Sequence, residues 1–238
     1  MSISMLRMLK IPEILYEDNH LLIINKGVSE IVQEDKTGDE SLEQMIKAYI
    51  KVRDHKPGNV FLGVAHRIDR PVSGVVVFAK TGKALTRMNE MFQNREIKKI
   101  YWAIVKERPE RDEARLEHFI SRNTQKNKAY IHNKEVKDSK PASLSYRILS
   151  KSDNYYLLEI ELHTGRHHQI RAQLAAIGCP VKGDLKYGSP RSNPDGSIHL
   201  HARKLEFIHP VSQIQVSTLA DPPNDPVWDY FIQIISNF

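Results

Sequence analysis

His66-Arg67-Ile68-Asp69-Arg70-Pro71-Val72-Ser73-Gly74-Val75-Val76-Val77-Phe78-Ala79-Lys80 joins a cationic turn to an apolar run with no alternation. From Gly74 to Lys80 the β-branched and aromatic residues suit a strand, and the missing polar face predicts a strand covered on both sides. Pro71 and Gly74 make the preceding residues a turn. That turn holds one carboxylate, Asp69, among Arg67, Arg70 and His66. Neighbouring cations favour the charged form of a carboxylate. A solvated surface turn has the same composition, so the segment alone assigns no chemistry.

On the N-terminal side, Ile14–Lys26 reads as a hairpin, two apolar runs about an Asp18-Asn19 turn. Leu42, Met45, Ile46 and Tyr49 repeat at helical spacing and predict a helix from Ser41 to Val52. On the C-terminal side, Thr81 is placed to cap a helix bearing Leu85, Met88 and Phe92. Lys98–Val105 is a further strand, and Arg108–Ser139 is polar and broken, as in exposed hairpins. Leu144–Leu149 and Tyr155–Leu162 resume strand character, followed by a helix from about Arg166 to Ile177 that stops at Gly178. Two strands and an amphipathic helix from Val227 to about Ile235 end the chain. Strands outnumber helices and come in hairpins, which predicts an α+β fold with a largely antiparallel sheet. No repeat, low-complexity tract or long linker appears, so residues 11–238 are expected to form a single domain behind a tail of residues 1–10.

The 238 residues can bury a substantial core, and 40% hydrophobic with 27% charged residues is ordinary for a globular protein. No apolar run approaches the length of a bilayer span and no secretory signal opens the chain, so a cytoplasmic location is expected. The single Cys179 excludes an internal disulfide and thiolate-clustered metal sites. A net charge of +6 is compatible with a polyanionic partner but equally with a charge that only maintains solubility.

Within the helix expected from Arg166, Ile170, Leu174 and Ile177 form an apolar stripe with Arg171 at its edge. A partly buried arginine there calls for a carboxylate, for which Asp69 is a candidate, or else extends its head to water. Tyr101, in a strand, is either core or a ring on which a nucleobase stacks.

The motifs together resemble the RluA-type pseudouridine synthases. His66–Gly74 is similar to their catalytic motif, Lys99-Ile100-Tyr101 to the second, and Thr164-Gly165-Arg166-His167-His168-Gln169-Ile170-Arg171 to the third. Lys140-Pro141-Ala142, Gly183-Asp184 with Tyr187-Gly188, and His201-Ala202 through His209-Pro210 match further landmarks in order. The resemblance runs from about Ile14 to about Pro222. It implies the pseudouridine synthase fold, with a mixed sheet, flanking helices and a central active-site cleft. It also implies Asp69 as the catalytic aspartate, Tyr101 against the target base and Arg171 as the arginine paired with the aspartate. Arg67 matches the arginine that fills the space left by the extruded base, and Leu200 the apolar floor. His66, Arg70, Arg166, His168 and Gln169 fall within the same motifs and are expected to contact substrate. Gly27, Ser29-Glu30, Val72, His167 and Ala172-Gln173 depart from the family pattern. The small N-terminal RNA-binding domain of some relatives is not expected.

The implied reaction isomerises uridine in a structured ribosomal or transfer RNA without cofactor or metal; a monomer with no obligatory protein partner and no membrane is the default expectation. Flipping the uridine out costs a few kcal/mol, part of which stacking on Tyr101, worth about 1–3 kcal/mol, offsets. Arg122, Lys126, Lys128 and Lys134 form a basic stretch suited to phosphates or simply to solvent. Two rival readings stand beside this one. One is a metal-dependent hydrolase built from His163, His167, His168, His199 and His201; the other is an RNA-binding protein that keeps the fold without the activity.

Overall fold

The computed structural model describes residues 11–35 and 38–236; the tail expected over residues 1–10 lies outside them. The chain forms two compact units. The first comprises residues through Ile97 together with Leu205–Asp221, and the second Lys98–Lys204 with the residues from Pro222 onward. Among the described residues no helix is long and apolar enough to cross a membrane.

In the first unit, β1 (Glu13–Glu17) and β2 (Leu21–Lys26) form the expected hairpin. Its turn is closed by Asp18, whose Oδ1 accepts from the backbone N–H of His20 and Leu21, both at 2.7 Å. β2 pairs antiparallel with β4 (Ser73–Ala79), as does the two-residue β3 (Gly63–Val64). Every residue of β4 is buried, as its unbroken apolar run predicts. Val75, Val77 and Ala79 face Ala84 and Met88 of helix α2 (Gly82–Asn94), whereas Val76 and Phe78 face Leu42, Ile46 and Ile50 of helix α1 (Leu42–Arg53). A helix thus covers each face. Ser41 caps α1 in a reciprocal box with Gln44, and Thr81 Oγ1 accepts from Ala84 N at 3.2 Å to cap α2.

In the second unit, β5 (Lys98–Val105), β9 (Tyr156–Leu162), β8 (Lys140–Lys151), β6 (Glu113–Asn123) and β7 (Lys128–His132) follow one another across the sheet in that order, all antiparallel. β6 and β7 are the hairpin expected in the polar stretch from Arg108. β8 is longer than its apolar stretch alone, because its exposed half alternates polar and apolar residues. The strand β10 (Leu200–Ile208) contributes Leu200–Lys204 to this unit and its remainder to the first, where β11 (Gln215–Leu219) pairs with it.

Helix α3 (Gln169–Ala176) packs Ala172 on Ile120, Ala129 and Ala142 of one sheet face. The C-terminal helix α4 (Pro226–Ser236) packs Trp228 and Phe231 on Trp102, Ile104 and Leu157 of the other. The α+β class holds. The start of α3 differs from expectation: it begins at Gln169, not Arg166, because His168 adopts a left-handed φ of 51° and ends the preceding turn. Gly178, at φ 77°, ends it as expected.

Candidate active site

The expected site residues divide between the units. Asp69 belongs to the first, in the connection from β3 to β4, with His66, Arg67 and Arg70. Tyr101, Arg166, His168, Gln169, Arg171 and Leu200 belong to the second.

Backbone bonds fix the course of the Asp69 segment. Val72 N donates to Asp69 O at 3.0 Å, closing the turn that Pro71 favours. Ser29 N donates to Arg70 O at 3.0 Å, and Lys26 Nζ donates to the same carbonyl at 3.2 Å and to Gly27 O at 2.7 Å. Gly74 adopts φ 116°, a conformation that disfavours any side chain, where the turn enters β4 opposite Lys26. Lys26 is 0% exposed. Burial pushes its ammonium down to about 8, while the charges of Glu30 and Asp69 act in the opposite direction. Glu30 Oε2 in turn accepts from Gly27 N at 2.7 Å. A proline at 27, the usual residue of the resembled family, has no N–H to give that bond.

The flanking side chains of this segment point to different partners. His66 stacks on Phe92 with centroids 4.7 Å apart. Arg67 Nη1 donates to Gln33 Oε1 at 3.3 Å, and Arg70 pairs with Asp39 at 2.7 Å, both partners of that pair about half exposed. Such an open pair contributes about 0–1 kcal/mol.

In the second unit, Tyr101 lies in β5 opposite Ile160 of β9, which in turn lies opposite Tyr146 of β8. Directly opposite residues share a face, so Tyr101 is on the face that carries α3, while its neighbour Trp102 packs under α4. Arg171, in α3, is on the Tyr101 side. Leu200 is buried at the start of β10.

Arg171 is not at a half-buried edge. Residues Gln169 through Leu174 are all buried, so the helix has no open face there, and Arg171 is 5% exposed. Its Nε donates to Asp184 Oδ2 at 2.6 Å and its Nη2 to Asp184 Oδ1 at 2.9 Å, a two-bond pair with a carboxylate that is itself 1% exposed. The expectation that this arginine needs an acidic partner therefore has an answer inside the second unit. In the sequence Asp184 is visible only as a landmark, 13 residues away in chain order and beyond the helix.

The rest of the third motif is engaged within the fold. Gln169 Oε1 accepts from Thr164 Oγ1 at 2.7 Å and Arg166 N at 3.0 Å, and its Nε2 donates to Ser143 O at 3.1 Å and Gln173 Oε1 at 3.0 Å. Gln173, a departure from the family pattern, passes the chain of bonds to Leu116 O and to His118 Nδ1. Arg166 Nε donates to Pro141 O at 3.0 Å. His168 Nδ1 lies 2.9 Å from Tyr187 Oη, and its ring stacks on His167 at 3.7 Å. Burial, then Arg171, holds the His168 imidazole down at about 2, so it is neutral.

The histidines of the metal-hydrolase reading fall in two groups, His167 stacked on His168, and His199 and His201 both against Trp228, with His163 in the turn after β9. His163 meets Ser145 at 2.9 Å, His168 meets Tyr187, His199 meets Asp225 at 2.9 Å, and His201 lies edge-on to Trp228. Cys179 is buried, and burial pushes its thiol up to about 11.

A family model described as RNA pseudouridylate synthase matches residues 20–176. The chain is 32% identical over 230 residues to a protein of Yersinia pestis named ribosomal large subunit pseudouridine synthase D, covering 90% of this chain and 68% of that one. It is 31% identical over 219 residues to a protein of Vibrio cholerae named tRNA pseudouridine synthase C, covering 84% and 87%. Some relatives are longer: the chain spans 65% of a Synechocystis RNA pseudouridine synthase. Among solved structures, human RNA pseudouridylate synthase domain containing 4 superposes with a TM-score of 0.77 at 22% identity over 94% of this chain, which establishes the shared fold. The chain belongs to the RNA pseudouridylate synthase family.

Proposed function

We propose that this protein converts uridine to pseudouridine within structured ribosomal or transfer RNA, with Asp69 as its catalytic carboxylate, Tyr101 against the target base and Arg171 as the cation of the site. Family membership supports the reaction class. The observation that carries the residue assignment is that the acid and the cation of the motifs each have a built support, the buried Lys26 beneath the Asp69 turn and the buried Asp184 against Arg171. Residues 11–238 act as one catalytic module, as a monomer and in the cytoplasm.

The C1′–N1 bond of the nucleotide breaks, the uracil rotates, C1′ bonds to C5, the C5 proton leaves to water and N1 takes one proton up. Nothing is oxidised and no group is transferred, so the chemistry asks for no cofactor. It asks for an ionised carboxylate, a held base and a cation fixed in advance. Asp69 supplies the first. Tyr101 supplies a ring for stacking, and Leu200 apolar surface. Arg67 takes the place of the flipped base, while His66, Arg70, Arg166, His168 and Gln169 shape or contact the RNA around it.

The test uses RNA from cells lacking the gene, labelled with tritium at uracil C5. The native protein releases tritium to water as the C1′–C5 bond forms. Asp69→Ala reduces release to background while RNA binding is kept. Release that persists in this variant overturns the assignment of Asp69; RNA binding with no release by the native protein favours the non-catalytic reading.

A further inference from the structure

We propose that Asp184 and Tyr187, with His168 behind them, are positioning residues that fix the Arg171 guanidinium for catalysis. This rests on the reading of Arg171 as the cation of the site. Gly183-Asp184 and Tyr187-Gly188 frame a single short helical turn, Leu185–Tyr187, that brings both side chains to Arg171. Asp184 takes two guanidinium donors in the plane of the fork, which fixes both direction and rotation. The Tyr187 ring lies beneath the guanidinium carbon at 5.1 Å, which restrains movement out of that plane.

Tyr187 is itself pinned. Its hydroxyl accepts from Ala129 N at 2.8 Å, a bond from the β6–β7 hairpin, and meets His168 Nδ1 at 2.9 Å. A neutral imidazole there accepts the tyrosine proton, so the one hydroxyl both donates and accepts. Gly183 completes the device. It adopts φ 90°, and a Cβ at this position would stand 2.8 Å from the Ser197 carbonyl oxygen, so only glycine lets the chain bring Asp184 round to Arg171. A buried ion pair contributes little to net stability compared with a well-packed apolar replacement, so its use here is orientation.

The experiment measures tritium release from C5-labelled RNA of cells lacking the gene, with kcat and apparent KM for Arg171→Ala, Asp184→Asn, Tyr187→Phe and the double variant Arg171→Ala/Asp184→Asn. Asp184→Asn should lower kcat by about 100-fold with KM within about threefold, and Tyr187→Phe by about 10-fold, following the loss of preorganised electrostatic groups. Asp184→Glu should restore part of the loss. In the double variant, kcat should equal that of Arg171→Ala alone, since Asp184 acts only through the arginine. Unchanged kcat in Asp184→Asn, with Arg171→Ala inactive, overturns positioning and leaves the reading of Arg171 intact. Full activity in Arg171→Ala overturns that reading itself. A further drop in the double variant gives Asp184 an independent role and overturns the proposal. If Asp184→Asn fails to fold, Tyr187→Phe decides: it keeps the ring, and unchanged kcat in it overturns the hydroxyl's part.

Discussion

The Asp69 turn and the Arg171 helix carry the opposite charges of the proposed site, and each is supported on a different plan. Asp69 stands in a turn defined by its own neighbours, Pro71 and Gly74, with bonds to the backbone at Ser29 and Val72 and one buried lysine below. Arg171 stands in the buried first turns of a short helix, where Asp184 and Tyr187, residues of another segment, engage it. On the proposed reading the carboxylate meets a nucleotide, and it is left partly open, whereas Arg171 is enclosed and directed. What differs is where the information lies: in adjacent residues for the first, in tertiary contacts for the second.

The sharpest way to break this comparison is to remove each charge and measure stability. Arg171→Ala leaves the Asp184 carboxylate, 1% exposed, without its two donors, and is expected to cost about 3–5 kcal/mol in urea unfolding. Asp69→Ala, at a partly exposed position, is expected to cost less than that while ending activity. Equal losses would mean that the two sides are built alike.

Lys26 supplies the next test. Its folded-state ammonium titrates near 8, below the 10.5 of a free lysine, so between those values the unfolded chain binds more protons than the folded one. The penalty of burying the amine is therefore full below about pH 8 and disappears as pH rises toward 10.5. Native stability relative to Lys26→Met should rise by about 3 kcal/mol across that window, because each pH step of one between the two values is worth about 1.4 kcal/mol. A flat difference in stability between the two proteins from pH 8 to 10.5 would remove the buried charge from the account of the Asp69 side.

The same contrast explains what is legible in the sequence. The hairpin at Asp18, both capped helices, the wholly buried β4 and the polar β6–β7 hairpin all follow from local pattern, because caps, turns and apolar period act over a few residues. Helix α3 starts later than its local pattern predicts, since Arg166 and His167 continue a helical pattern and nothing local announces the left-handed His168. The pattern also places Arg171 at the rim of a stripe; the burial of the stretch from Gln169 to Leu174 follows from tertiary packing, such as Ala172 on β6–β8, which no helical wheel contains. Of the candidate site, the motif residues are readable through resemblance. Asp184 and Tyr187 are readable as landmarks without roles, because a side chain's partner across many residues is set by the fold. The engagement of Gln169 with Thr164, Arg166, Ser143 and Gln173 is likewise invisible in the sequence.

The smaller effects refine the comparison at the two helix starts. Gln169 anchors the beginning of α3 through four bonds drawn from three segments, so Gln169→Ala takes away the partners of the Gln173 amide oxygen and the Arg166 N–H. A loss of about 2 kcal/mol is expected, near the cost of one or two unmet buried hydrogen bonds. Helix α1 starts on local chemistry instead. Ser41 Oγ accepts from Gln44 N at 3.4 Å and Gln44 Oε1 accepts from Ser41 N at 3.1 Å. Ser41→Ala removes the first bond and leaves the second, so about 1 kcal/mol is expected, the usual worth of such a cap. Asn at the same position keeps a capping oxygen and should recover most of that loss, because the cap needs only an acceptor within reach of the third residue. No comparable single-residue rescue is expected at Gln169, whose amide must give and accept in fixed directions. If Gln169→Glu restored α3 as fully as Ser41→Asn restores α1, the start of α3 would be a local cap after all, and the contrast between the two sides would fail at its smallest scale.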